Sequence, residues 1–260
     1  MVRASQTPRR TQKKKRMSQE TAIESFKKFQ HSWVEQLQHH LNHLRSVQNH
    51  HRNSASGDEE RLREAVERVM GLCREYHRAK LATTDKDVIG VMTAPWSSAL
   101  ERSLHWVGDW RPTTLFHLVY TESSILFESR IVDILRGFRT GDLSDLSPSQ
   151  FRFKFVKGRT VSELQCETVK EENAITEELS EWQDDASDLV MGTVSDLDQR
   201  KERLAEIVHR ADDLRLRTIT GVVELLSPLQ QAEFLIAAVE LRTGVSGWGS
   251  SHDRRRSSNV

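Results

Sequence analysis

The chain has 260 residues, enough for one large domain or two small ones. Hydrophobic residues make up 37% and charged residues 29%, a mix that suits amphipathic helices and falls short of a sandwich or a doubly wound sheet. Lys plus Arg balances Asp plus Glu at 38 each, so no global field draws in nucleic acid, and no apolar run approaches the roughly 18 residues of a membrane span.

Residues 1–17 read as a disordered basic arm. Arg9, Arg10, Lys13, Lys14, Lys15 and Arg16 place six basic side chains in eight positions, which suits a nuclear localisation signal, a phosphate contact or a solvated tail. No leucine heptad seam follows, so the run does not continue as a bZIP helix. A long amphipathic helix is expected from Ser18 to about Asn49, with Ile23, Phe26, Phe29, Trp33, Val34, Leu37, Leu41, Leu44 and Val47 on one arc. His39, His43 and His50 fall on the opposite face. Histidines at i, i+4 can hold a metal, but the glutamate of an HExxH arrangement is missing, and a solvated polar face explains them.

A loop at 52–58 leads to a second helix over Glu59–Lys80, striped by Leu62, Val66, Val69, Cys73 and Tyr76. Cys73 sits on that stripe as a small apolar residue. With Cys166 far away and no C-x-x-C, the two cysteines fit a reducing compartment. Residues 85–93 read as an irregular connector into a tryptophan-rich stretch, 94–120. There the spacing predicts a helix carrying Leu100, Leu104 and Val107, a corner at Gly108-Asp109, and a second helix opening at Pro112. Trp96, Trp106 and Trp110 surround this corner, which reads as a packing node or, with an indole exposed, as a partner anchor.

The helical pattern continues to about Leu135, stops at Gly137 and Gly141, and restarts at Ser147-Pro148. A long polar helix is expected over Val161–Leu189, with Glu171, Glu172, Glu177, Glu178 and Glu181 as solvent-facing charge. Another covers Val194 to about Leu226, with Leu197, Leu204, Ala211, Thr218 and Leu225 one heptad apart, as in bundle packing. Ser227-Pro228 opens the last helix, Leu229–Arg242, which is apolar all round and must be surrounded by others. It is expected to end at Gly244, ahead of Trp248 and a disordered tail at 250–260. The fold class is all-α: a single multi-helix bundle of long amphipathic helices with an apolar C-terminal helix. No phosphate loop, G-x-S-x-G elbow, HExxH or Cys/His cluster is present, so neither enzyme chemistry nor a cofactor is expected.

The segments 25–41, 94–120, 136–150, 162–179, 211–219 and 226–249 recur in this order in one family. The chain resembles the plant Delay-of-Germination domain, which is also the C-terminal part of TGA-type bZIP transcription factors. Its signature falls here on Trp33, Pro95, Trp96, Glu101, Arg102, Trp106, Gly108, Trp110, Arg111, Pro112 and Trp248, residues read as structural. The resemblance implies a helical domain over 18–249 and a non-enzymatic nuclear, and also cytoplasmic, regulator in seed dormancy, abscisic-acid signalling and transcription. It further implies partners such as protein phosphatases and transcription co-regulators, with dimerisation. The alternative it carries is a TGA-related factor that binds DNA in a sequence-specific way. Haem binding is associated with the family through histidines, but Leu229–Arg242 contains none, so no haem site is carried over. Residues 151–161, FRFKFVKGRTV, interrupt the family pattern. Phe151, Phe153 and Phe155 alternate with basic residues as in a strand, so the segment reads as an insertion from a retained intron or a gene-model error.

Overall fold

The computed structural model describes residues 7–53, 59–119, 160–185 and 197–257. Among these, seven helices make up the regular structure: α1 (Thr7–Asn53), α2 (Glu59–Thr93), α3 (Ala99–Ser103), α4 (Thr114–Val119), α5 (Val161–Asp185), α6 (Leu197–Leu225) and α7 (Pro228–Ser257). The fold is all-α, as its composition requires. The expected helix through 135, the Ser147-Pro148 start and the period-2 stretch 151–159 lie outside the described residues.

The long helices pair antiparallel. In α1 and α2, Ile23 meets Gly90 and the Trp33 indole donates to the Leu72 carbonyl at 2.8 Å. In α5 and α6, Trp182 donates to the Arg200 carbonyl at 2.9 Å, and Leu164 packs on Gly221. Helix α2 also packs on α6 and α7. Two apolar clusters result. One gathers Trp33, Leu41, Val69, Phe116, Val222 and Leu235. The other gathers Ile23, Val91, Val107, Ile175, Ile207 and Ala211.

Several elements differ from expectation. The presumed disordered arm is helical from Thr7. Pro8 suits a first helical turn, and no glycine follows before Asn53. The connector 85–93 belongs to α2, which kinks at Asp87 (φ −152°, ψ 79°). Asp87 Oδ1 accepts the Gly90 N–H at 3.0 Å, so a residue that looks like a breaker caps a second helical segment. The tail is helical through Ser257. Gly249 allows this, because a Cβ there would stand 2.0 Å from Ser98 Oγ. The absent side chain is what lets α7 dock on the 97–103 segment. Of the arc on α1, Val34 turns outward, 39% exposed.

Helix starts follow local chemistry. Ser98 and Glu101 form a reciprocal capping box at α3. Thr160 and Glu163 form another at α5, at 3.0 and 2.7 Å. Ser227 precedes Pro228 at the start of α7, its N–H bound to Gln230 Oε1 at 3.0 Å.

Candidate functional site: a buried ionic cluster and its cleft

The corner at 104–113 is tighter than two abutting helices. Trp106 and Asp109 pair through N–H···O contacts of 2.7 and 3.3 Å. The residues between them, Val107 (φ +47°) and Gly108 (φ +74°), are both left-handed. That is the geometry of a two-residue type I′ turn. Glycine adopts it freely, whereas β-branched valine is strained there. Val107 is held by burial in the second apolar cluster and by Arg215. The Arg215 guanidinium donates through Nη2 to the carbonyls of Trp106 and Val107, and through Nε to that of Trp110 at 2.7 Å.

Beneath the turn lies a cluster of buried charge. The Lys80 side chain is 1% exposed, and its Nζ stands 2.8 Å from Asp212 Oδ1 and 3.2 Å from Asp109 Oδ2. Arg215 also reaches Asp212 Oδ1. Asp109 Oδ2 accepts the Tyr76 hydroxyl at 2.9 Å, and Arg242 Nη1 stands 3.9 Å from Asp109 Oδ1. Burial pushes the Asp109 carboxyl up, but the Lys80, Arg242 and Arg215 cations outweigh it and hold the group well below the usual carboxylate range. Burial, with the Asp109 carboxylate beside it, raises the Tyr76 hydroxyl. Burial also lowers His105 and pushes the Cys73 thiol up to about 11.

A second anchor ties the corner to α5. Glu172, 1% exposed, accepts the Thr113 N–H at 2.7 Å, the Thr113 hydroxyl at 3.1 Å and Arg111 Nε at 2.7 Å. This corrects the reading of Glu172 as solvent-facing. It continues the row Val161, Leu164, Thr168, Ile175 and is spent on the backbone of the turn, while Glu177 and Glu181 remain exposed. Lys80 likewise continues the stripe of Leu62, Val66, Val69, Cys73 and Tyr76. Arg215 falls in register with Val208, Ala211, Thr218 and Val222. A charge at an apolar register position was the available signal, and it was missed.

The signature residues divide by role. Trp33 is buried, and Trp96, Trp106 and Trp110 are half-buried. The Trp106 indole donates to Thr176 Oγ1 at 2.9 Å. Glu101 caps α3, Arg102 binds the Ser97 carbonyl, and Pro112 leads the turn into α4. Pro95 is exposed, as is Trp248 at 52%. The backbone of Arg9, Arg10, Lys13, Lys14, Lys15 and Arg16 lies in the first turns of α1, away from the corner in sequence. His39, His43 and His50 are exposed. Among the described residues, no group of three or more His, Cys, Asp or Glu side chains is placed to hold a metal, and no helix is long and apolar enough to cross a membrane. A cleft of about 360 Å³ opens above the cluster between α1, α2, the corner, α6 and α7.

Fold and site together define a helical bundle whose central charges lock one helix register against another. A family model for seed dormancy control, DOG1, matches residues 40–121, which include Tyr76, Lys80 and the corner itself. The chain is 24% identical over 250 residues to Protein DOG1-like 3 of Arabidopsis thaliana, covering 87% of this chain and 84% of that protein. It is 27% identical over 228 residues to Protein DOG1-like 4 of Arabidopsis thaliana, covering 87% and 93%. Transcription factor TGA1 of Arabidopsis thaliana is 26% identical over 234 residues, 85% of this chain but 55% of that factor. None of these three carries an enzyme's name. The chain is thus similar to DOG1-family proteins, matching the family model over residues 40–121 and DOG1-like relatives at 24–27% identity.

Proposed function

We propose that the chain is a non-enzymatic plant regulatory protein acting on transcription, and that it works by binding other proteins. The finer reading is a nuclear and cytoplasmic role in seed dormancy and abscisic-acid-linked signalling, with protein phosphatases or transcription co-regulators as partners. The observation that carries it is alignment with DOG1-like relatives over most of both chains, 87% of this one and 84–93% of two of them. The buried cluster supports it: its charged groups grip helices and a turn, and none pairs a nucleophile with a base. Affinity capture with the tagged full chain from developing seed tissue, read by mass spectrometry, tests the reading. Phosphatase or co-regulator capture that untagged chain competes away is the expected result. Capture of neither class sinks it.

Direct DNA contact is a second reading, favoured by one observation. The backbone carrying Arg9–Arg16 is helical and runs unbroken into a bundle helix. This reading expects duplex DNA binding that weakens steeply with salt and vanishes when the six basic residues are changed to Gln. Equal binding by chain and variant refutes it.

A further inference from the structure

The cleft above the ionic cluster is bounded by the groups that hold the corner, yet leaves open space beside them. Its volume of about 360 Å³ falls at the low end of the roughly 300–1,000 Å³ typical of small-molecule sites. Its walls are mainly apolar and aromatic, with Trp33, Trp96, Trp110, Leu104 and Val239 among them. Four cationic side chains, Lys80, Arg111, Arg215 and Arg242, line it against three carboxylates, Glu101, Asp109 and Asp212. The partner of Arg111, Glu172, lies behind the wall.

The Arg242 guanidinium lines this space, with the Tyr76 hydroxyl beside it as a hydrogen-bond partner. The Arg242 guanidinium lies over the Trp33 and Tyr76 rings, 5.1 and 5.0 Å from their centroids, so its hydrogen bonding is confined to its edge. Its nearest carboxylate contact is the 3.9 Å approach to Asp109, and Asp109 is already engaged by Tyr76, Lys80 and the Trp110 N–H. A guanidinium edge beside aromatic walls is the arrangement that binds a planar carboxylate attached to a flat apolar body.

We propose that this cleft takes a compact aromatic monocarboxylate, its carboxylate on the Arg242 guanidinium and its ring against the indole walls. The tryptophans that line the cleft report occupancy directly. Tryptophan fluorescence and titration calorimetry on the full chain compare 3-phenylpropionate, its neutral amide and decanoate. The acid binds saturably, and the amide binds at least about tenfold more weakly, because it loses a hydrogen bond between charged groups. Arg242→Gln loses a similar factor for the acid only. Ala238→Phe, one turn before Arg242 on the same helix, adds bulk to the cleft wall while keeping the guanidinium, and abolishes binding. Circular dichroism establishes that each variant is folded. If Arg242→Gln does not fold, the comparison of acid with amide on the natural chain and the Ala238→Phe result decide. No saturable binding of the acid, equal binding of acid and amide, or full affinity in a folded Arg242→Gln protein overturns the proposal. Tighter binding of decanoate than of 3-phenylpropionate also overturns it and assigns the cleft to an extended chain.

Discussion

Lys80→Met is the sharpest perturbation of the central cluster. Methionine keeps most of the length and the apolar stem of lysine, so packing is nearly conserved and the charge alone is lost. In the native chain the Lys80 Nζ lies 2.8 Å from Asp212 and 3.2 Å from Asp109, with 1% of the side chain exposed. Breaking a buried pair on one side costs roughly 3–5 kcal/mol, because the partner's charge stays buried without compensation. Here Asp212 keeps Arg215, and Asp109 keeps Tyr76 and Arg242, so the low end, about 3 kcal/mol, is expected. For a domain of this size that lowers Tm by about 6–12 °C.

Thermal melts followed by circular dichroism, with urea titrations for the free energy, measure it. The pH dependence supplies a second check. Asp109 is held below its ordinary value of 3.8 despite burial, with Lys80 the leading cause. A depressed carboxylate stabilises fully above its unfolded pKa and loses that contribution as pH falls toward the folded value. Removing Lys80 shrinks the depression. The gap between natural chain and variant is therefore widest near neutral pH and narrows as acid protonates Asp109 in the variant. A cycle with Asp212→Asn should show coupling of about 0.5–3 kcal/mol. A loss under 1 kcal/mol, a gap independent of pH, or strict additivity with Asp212→Asn would refute the cluster as a paired unit.

Helix α7 offers a contrast between glycines. Gly249→Ala puts a Cβ 2.0 Å from Ser98 Oγ and should cost about 1–3 kcal/mol by denaturant titration, whereas Gly247→Ala meets nothing within 4 Å and should stabilise by up to about 1 kcal/mol. Ser98→Ala removes one half of the capping box at α3 and should lower stability by about 1 kcal/mol in the same assay. Trp110→Ala should destabilise by a few kcal/mol, at or below the ~3–5 of a fully buried aromatic, and lose partner binding only through unfolding; unchanged melting with lost binding would make Trp110 a contact residue instead. Alkylation with iodoacetamide at pH 7.5, counted by mass spectrometry, should modify exposed Cys166 well before Cys73, whose buried thiol is raised to about 11.

What the sequence disclosed follows from how local each cause is. Apolar stripes and helix starts depend on neighbours within a turn, so Ser227-Pro228 and the row through Leu204 and Ala211 could be read directly. The α2 extension could not. Asp87 and Gly90 carry the residue types of a break, yet Asp87 caps the next turn and Gly90 lets Ile23, 67 residues earlier in sequence, approach. The corner was legible as a node and illegible in form. Nothing near Val107 favours a left-handed valine. Arg215, 108 residues on, holds that carbonyl. The ionic cluster was hidden for the same reason, since Lys80, Asp109, Asp212 and Arg242 meet only after four separate elements pack.

The position of the cluster explains why the fold retains buried charge at all. Along both α2 and α6 the charged layer separates two apolar clusters, one through Val69 and Val222, the other through Val91 and Ile207. Apolar faces alone tolerate slippage, because leucine and valine rows one turn apart pack almost equally well. Sliding α6 one turn along α2 would move Asp212 about 5.4 Å from Lys80 and carry Arg215 off the three carbonyls of the corner. Buried Asp212 would then lose Lys80 and the strained turn would lose Arg215 together. The natural register avoids all of these costs at once, so the charged layer contributes to choosing the alignment rather than simply to stability. The corner depends on the same choice, since Val107 keeps its left-handed backbone only while Arg215 is opposite it. The conformation of the tryptophan-rich turn and the alignment of the long helices are therefore one structural decision, made through Lys80, Asp212 and Arg215.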